Sequence, residues 1–329
     1  MATSHDEMLV EPAAVPGQLR QGDDVFPSLL ACRIPGASLA AALDWVRSQA
    51  AALLDESSRR GALLLRGFPV QTDRDFHAMV EAFGQPAFTY EDSLSNAVRV
   101  NRTPRVFTAN EAPPDVQIFF HHEMAQTPYY PTRLFFFCEQ AAATGGATPL
   151  CRSDWLWERL LRECPKFAAD VEAQGLRYSH VMPGEVDLKS GMGRSWQSTL
   201  KAATREAAEN RLSSLNYTWQ WLDDGCLRVT TPVLRGVYRL PDGRKTFFNQ
   251  LIAAFSGWKD ARNDPAKAIT LGDGTPLDPV GVQAACRIAE ELAFDVPWQN
   301  GDVALIDNYV TMHGRRPFTG TRKVLAAFI

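Results

Sequence analysis

Between Ser38 and Arg60 the chain reads SLAAALDWVRSQAAALLDESSRR, with apolar residues at helical intervals and many Ala and Leu. This pattern predicts an amphipathic helix. The period then changes. GALLLRGFPV at 61–70 is a short apolar run closed by Gly and Pro, as expected for a buried strand entering a turn. Thr72 follows at an N-cap position, and Phe76, Met79, Val80 and Phe83 recur at helical spacing before Gly84, so a second helix is expected. After Pro86 the pieces are short and extended: RVFTA (105–109), QIFF (117–120) and RLFFFCEQA (133–141). Helical periodicity dominates from Ser153 to Leu212, with a break at Pro183 and Gly184, before LRVTTPV, GVYRL and KTFFNQ return to extended form. GVQAACRIAEELAF (281–294) predicts another amphipathic helix, and GDVALIDNYV and RKVLAAFI read as two closing strands around a turn containing HGRRPFTG. Residues 1–37 are rich in Pro, Gly and Asp with weak periodicity, so an irregular arm is expected there, with 38–329 as a single domain.

Composition narrows the partners. With 45% hydrophobic residues, 22% charged residues and a net charge of -4, the chain has no electrostatic footprint for nucleic acid or an acidic membrane. Nor does it contain a run of about eighteen apolar residues, and its first residues, MATSHDEMLVEPAAVPGQ, lack the basic start and apolar stretch of a signal peptide. The expectation is a cytoplasmic protein with a small-molecule substrate and no nucleic-acid or membrane partner. Its six cysteines form no C-x-x-C pair, which suggests reduced, buried thiols rather than a zinc ribbon or a disulfide framework.

The candidate chemistry begins at QIFFHHE. If that stretch stays extended, alternation sends His121 and Glu123 to one side and His122 to the other. An imidazole and a carboxylate side by side, joined by a third ligand from a distant strand, suit a non-haem Fe(II) with open positions. Beyond residue 123 only His180 and His313 remain as histidines, and His313, beside a closing strand, is the better third ligand. Arg322 heads the last apolar strand. A guanidinium directed into a β barrel needs an anion, and a dicarboxylate cosubstrate would supply one. The alternatives at Arg322 are a salt bridge or simple exposure at the strand start. Arg315 and Arg316 read as turn residues facing solvent, with contact to substrate as the alternative for either. In ATGGATPL (143–150) two glycines permit a tight turn, and Thr148 offers a hydroxyl, although a Gly-Gly pair alone is most often just a loop.

Together FFHHEMAQ, FFFCEQAAATGGATPL and GDVALIDNYVTMHGRRPFTGTRKVLA resemble the Fe(II)/2-oxoglutarate-dependent dioxygenases of the taurine dioxygenase superfamily, and more closely the clavaminate synthase-like proteins. GALLLRGFPV, VFTANEAPPD and VPWQNGDV share in the likeness, which runs from about residue 60 to the end. The resemblance implies an α+β fold, with a double-stranded β-helix (jelly roll) core, flanking α-helices and a helical insertion. It also implies an iron triad of His121, Glu123 and His313, with 2-oxoglutarate held by Thr148 and Arg322. In many members the cosubstrate arginine lies ten to fifteen residues after the distal histidine; here the interval is nine, and Ala326 holds a more distant position. Iron halogenases related to this family replace the acidic ligand by a small residue, so the presence of Glu123 points to hydroxylation or another oxidation rather than chlorination. The implied cofactors are Fe(II), 2-oxoglutarate and O2. Two other readings use the same residues: a non-catalytic jelly-roll protein binding a metal or small molecule, and a zinc-dependent hydrolase.

Overall fold

Alternation divides the last strand between two cores. In Lys323–Phe328, Val324, Ala326 and Phe328 join one apolar cluster while Leu325 and Ala327 join another. Arg133–Gln140 splits the same way, Leu134, Phe136 and Cys138 against Phe135 and Phe137, and so does Val303–Asp307. A sheet apolar on both faces requires a packing layer on each.

The computed structural model describes residues 8–89, 93–95, 97–187, 193–257 and 268–329. Its two principal sheets use β1 (Val10–Pro12), β2 (Ser28–Cys32), β3 (Ala62–Arg66), β4 (Phe107–Thr108), β5 (Ile118–His121), β6 (Arg133–Gln140), β7 (Thr148–Arg152), β8 (Ala293–Val296), β9 (Val303–Asp307), β10 (Thr311–Arg315) and β11 (Lys323–Phe328). The larger sheet has the order β1-β2-β3-β9-β6-β11-β4, and the smaller has β8-β7-β10-β5. From β4 to β11 the chain changes sheet at every step except β7 to β8, which are antiparallel neighbours in the smaller sheet. That path is the double-stranded β-helix, and the inner faces of its two sheets enclose Leu134, Phe136, Leu150, Val296, Ile306 and Phe328.

Helices close the outer faces. α1 (Leu39–Arg60) and α2 (Asp73–Ala82) lay Val46, Leu53, Phe76 and Met79 on the larger sheet. Ser38 caps α1, and Thr72 with Asp75 forms a capping box on α2; caps of this kind contribute about 1 kcal/mol each. α1 ends at Gly61 (φ +87°), where a Cβ would stand 2.5 Å from the Thr311 hydroxyl, so only glycine lets the chain turn directly into β3. Between β7 and β8, residues 153–292 form the insertion. It contains α3 (Ser153–Glu163), α4 (Pro165–Gln174), α5 (Trp196–Leu200), α6 (Arg205–Ser214), α7 (Leu251–Gly257) and α8 (Pro279–Glu291). A second four-stranded sheet, Leu176–Met182, Thr218–Trp221, Leu227–Thr230 and Ile269–Leu271, lies within it. Phe120, Cys151 and Met312 on the outer face of the smaller sheet pack in one cluster with Leu156, Leu251 and Ile288 of the insertion.

Three expectations are corrected. The irregular arm expected at 1–37 is not seen in its described part, 8–37: β1 and β2 extend the larger sheet, with β2 parallel to β3, and Leu19–Gln21 pairs with Asp24–Phe26. These strands are only three to five residues long, too short for a period to stand out in the sequence. The run 153–212 is interrupted by the strand Leu176–Met182, whose partners are distant. Finally, β9 and β11 are not a hairpin, because β6 lies between them; His313 sits within its own strand, β10, in the other sheet. No helix among the described residues is long and apolar enough to cross a membrane.

Candidate metal centre

In the smaller sheet His121 on β5 lies directly opposite His313 on β10, and Leu150 on β7 flanks His313 from the other side. Opposed residues of an antiparallel pair share a face. The two imidazoles therefore stand together, with ring centroids 4.3 Å apart, and Phe136 of the larger sheet packs 5.3 Å from His313. Glu123 completes the group: one potential ligand atom from each of His121, Glu123 and His313 lies within 4.8 Å of the others. The carboxylate arrives by a different route from the one alternation predicts. β5 ends at His121, and Glu123 sits in the turn that follows, next to Met124 at φ +58°.

Hydrogen bonds fix this turn. The N–H of His122 donates to the Asn249 carbonyl (3.3 Å) and that of Glu123 to Asn308 Oδ1 (2.8 Å). The carbonyls of the same two residues accept from Gln250 Nε2 (3.1 Å) and Asn308 Nδ2 (3.0 Å). With its backbone groups paired the buried turn is stable, and Asn308, from the turn between β9 and β10, ties Glu123 to the strand bearing His313. Asn308 also donates to the Pro131 carbonyl (2.8 Å). His122 faces away from the cluster. It is fully buried, its Nδ1 donates to the Asn308 carbonyl, and its Nε2 meets the Ser153 hydroxyl at 2.9 Å.

Electrostatics prepare the three groups for a cation. Burial, reinforced by His313, lowers the His121 pKa to about 4, so this ring is neutral at physiological pH. Its Nδ1–H donates to the Phe119 carbonyl (2.8 Å), which leaves the lone pair on Nε2. Burial pushes Glu123 up, but Arg99 and then His313 outweigh it and hold the carboxyl down at about 2. Arg99 Nη2 reaches both carboxylate oxygens, at 3.1 and 3.0 Å, and the two side chains are only 6% and 4% exposed. Phe107 and Phe328 flank its guanidinium. An ionised carboxylate has about four lone-pair positions, so this contact leaves room for a metal. His313 Nδ1 is buried without a hydrogen-bond partner among the described residues, and Nε2 lies 3.4 Å from Glu123 Oε2. Two imidazoles, one of them with an orphaned ring nitrogen, and an ionised carboxylate form a donor set that fits Fe(II).

Thr148 starts β7 and points to the same face as Leu150, about 7 Å further along the strand from the position opposite His313. Its hydroxyl oxygen accepts from Arg322 Nη2 (3.2 Å) and Trp298 Nε1 (3.0 Å), while Arg322 Nε donates to the Gly146 carbonyl (2.8 Å). A Cβ at Gly146 (φ +69°) would stand 3.0 Å from Arg322 Cδ, so the second glycine of the Gly-Gly pair makes space for the arginine. Among the described residues no carboxylate forms an ion pair with Arg322, and burial with the nearby Arg315 lowers its pKa to about 10. Gly146, Ala147, Val296, Trp298, Arg322 and Val324 border a cavity of about 490 Å³. Ala326, the more distant position, is buried opposite Phe136.

Several residues depart from the sequence reading or were missed by it. Arg315 does not face solvent; it is buried and donates to the carbonyls of Ala112 (2.8 Å), Pro113 (2.6 Å) and Val116 (2.8 Å). Arg316 pairs with Glu290 and Asp295. His180 lies in the insertion's sheet, outside the cluster. Arg99 occupies an irregular stretch with no local signal. Asn308 in IDNY reads as an ordinary turn residue, and Trp298 was visible only as part of VPWQNGDV.

Residues 25–328 match the family model described as taurine catabolism dioxygenase TauD, TfdA family. The chain is 40% identical over 327 residues to a clavaminate synthase-like protein of Arabidopsis thaliana, covering 98% of each. It is 30% identical over 286 residues to the dapdiamide synthesis protein DdaC of Enterobacter agglomerans, covering 83% of each. An asparagine oxygenase solved with Fe(II), 3-hydroxyasparagine and succinate shares the fold at a TM-score of 0.54 and 14% identity, over 88% of this chain and 83% of that one.

Proposed function

The chain belongs to the taurine catabolism dioxygenase TauD, TfdA family and is an Fe(II)- and 2-oxoglutarate-dependent oxygenase; from that premise we propose that His121, Glu123 and His313 hold the iron and that Thr148 and Arg322 hold the far carboxylate of 2-oxoglutarate. The observation that carries this reading is the convergence of the three ligand atoms within 4.8 Å, one short strand segment from a cation with no acidic partner among the described residues. The step of about 7 Å from the His313 level to Thr148 suits a five-carbon dicarboxylate with one end at the metal and the other at Arg322. Bound there, Fe(II) supplies the redox chemistry that couples O2 reduction and decarboxylation of 2-oxoglutarate, to succinate and CO2, with oxidation of a substrate.

The protein's residues bind, orient and exclude water. Asn308 and Asn249 hold the Glu123 turn, Arg99 keeps its carboxyl ionised, and Phe136 covers one side of His313. Residues 38–329 act as one oxygenase domain, to whose larger sheet the N-terminal strands add an edge. The substrate is a small molecule, such as an amino-acid derivative, that is hydroxylated or otherwise oxidised. Purified protein given Fe(II) should bind 2-oxoglutarate and release succinate slowly even without substrate. No binding by calorimetry to fully iron-loaded protein would overturn the proposal, and a requirement for zinc instead of iron would favour hydrolysis. A screen of acids and amino acids for faster succinate release then identifies the substrate.

A further inference from the structure

Thr148 has more donors around it than an isolated binding hydroxyl needs. A hydroxyl has one proton to give and two lone pairs to receive with. Both lone pairs are engaged, by Trp298 Nε1–H at 3.0 Å and by Arg322 Nη2–H at 3.2 Å, and the residue is only 3% exposed. No acceptor among the described residues takes the remaining Thr148 proton, so it is forced into the direction left over. Arg322 is in a similar position: among the described residues its Nε and one Nη are bound to protein oxygens. We infer that Trp298 is a positioning residue for the cosubstrate: by donating to Thr148 it fixes the hydroxyl with its proton toward the far carboxylate, so that Thr148 acts as a donor beside Arg322. Without the indole N–H the hydroxyl is free to turn and donate elsewhere, and its second lone pair is left dry.

The inference rests on the proposed 2-oxoglutarate site, and its test separates the two. With Mn(II) bound, affinities of the wild type and Trp298→Phe are measured by calorimetry for 2-oxoglutarate and for oxalate, which has the metal-chelating end without the far carboxylate. Trp298→Phe keeps an aromatic ring but removes the N–H together with the rest of the five-membered ring, so the oxalate measurement and the Thr148→Val background control for the lost volume. Loss of one orienting hydrogen bond corresponds to about five- to tenfold weaker 2-oxoglutarate binding, with oxalate and Mn(II) affinities unchanged. In a Thr148→Val background the same Trp298→Phe change should add nothing, because the hydroxyl it orients is gone, and Thr148→Ser should retain the sensitivity. Equal 2-oxoglutarate affinity in wild type and Trp298→Phe overturns the positioning role; weakening of oxalate and 2-oxoglutarate alike would show general damage and overturns it as well. Failure of the wild type to bind 2-oxoglutarate defeats the functional reading itself.

Discussion

The two ends of the proposed active site handle buried charge in opposite ways. At the metal end the Glu123 carboxylate is matched by Arg99, at 3.0 Å, and its turn is held by Asn308, so the site is close to neutral and pre-formed without any ligand. At the cosubstrate end Arg322 is mostly buried, finds only a carbonyl and a hydroxyl, and has no carboxylate pair among the described residues. A buried cation with neutral partners carries an uncompensated desolvation cost, which an incoming anion relieves. The proposed metal ligands thus belong to the fold, whereas the proposed cosubstrate site is completed by its ligand.

Removing a proposed metal ligand should have the largest effect. His313→Ala leaves one imidazole and one carboxylate, and we predict loss of Mn(II) binding by more than about 100-fold and of succinate formation, with the fold retained by circular dichroism. Near-normal Mn(II) affinity would mean that His313 is not a ligand. Arg322→Met comes next. It should weaken 2-oxoglutarate by about 10- to 100-fold, as expected for charge-assisted hydrogen bonds, while leaving Mn(II) affinity alone. Because it removes an uncompensated charge, it should keep or raise the melting temperature of the ligand-free protein; a marked fall would show that the two ends do not differ as argued.

Arg99→Met tests the opposite end. It strips the buried Glu123 carboxylate of its guanidinium, and breaking such a pair costs about 3 kcal/mol. The melting temperature of the metal-free protein should fall and should recover in part on adding Mn(II), which replaces the lost positive charge. A variant as stable as the wild type without metal would remove Arg99 from the charge balance.

The parts legible in the sequence were those with local signals. α1, α2 and α8 follow from apolar periodicity and, for α2, from Thr72 as its cap. His121 and Glu123 could be picked out by spacing, although the carboxylate reaches the site from a turn whose geometry depends on Asn308, 185 residues away. The second half of β10 was read as a turn because His-Gly-Arg-Arg has no β-branched residue and includes a glycine, and its strand form comes from pairing with β5 and β7. Arg315 seemed a solvent residue because the carbonyls that hold it come from a loop some 200 residues earlier. Long-range hydrogen bonds leave no periodic trace, and they supply most of what turns a tripeptide into a site.

His122 marks the boundary of the metal end and gives the smallest expected effect there. Its neighbour His121 is a proposed ligand, yet the chain turns between them, so His122 packs against Phe248, 4.7 Å between ring centroids, and bonds to the Asn308 carbonyl and the Ser153 hydroxyl. Burial lowers its pKa to about 3, so it is neutral and adds no charge to the site. In His122→Asn the amide can keep one of the two polar contacts but leaves space where the ring lay, at a cost of about 1–2 kcal/mol. Mn(II) and 2-oxoglutarate affinities should stay within about threefold of wild type, since the side chain of Asn308 still grips Glu123. If His122→Asn lost the metal as completely as His121→Ala, the face assigned to each histidine would be reversed, and the neutral, pre-formed metal end would need a different ligand set.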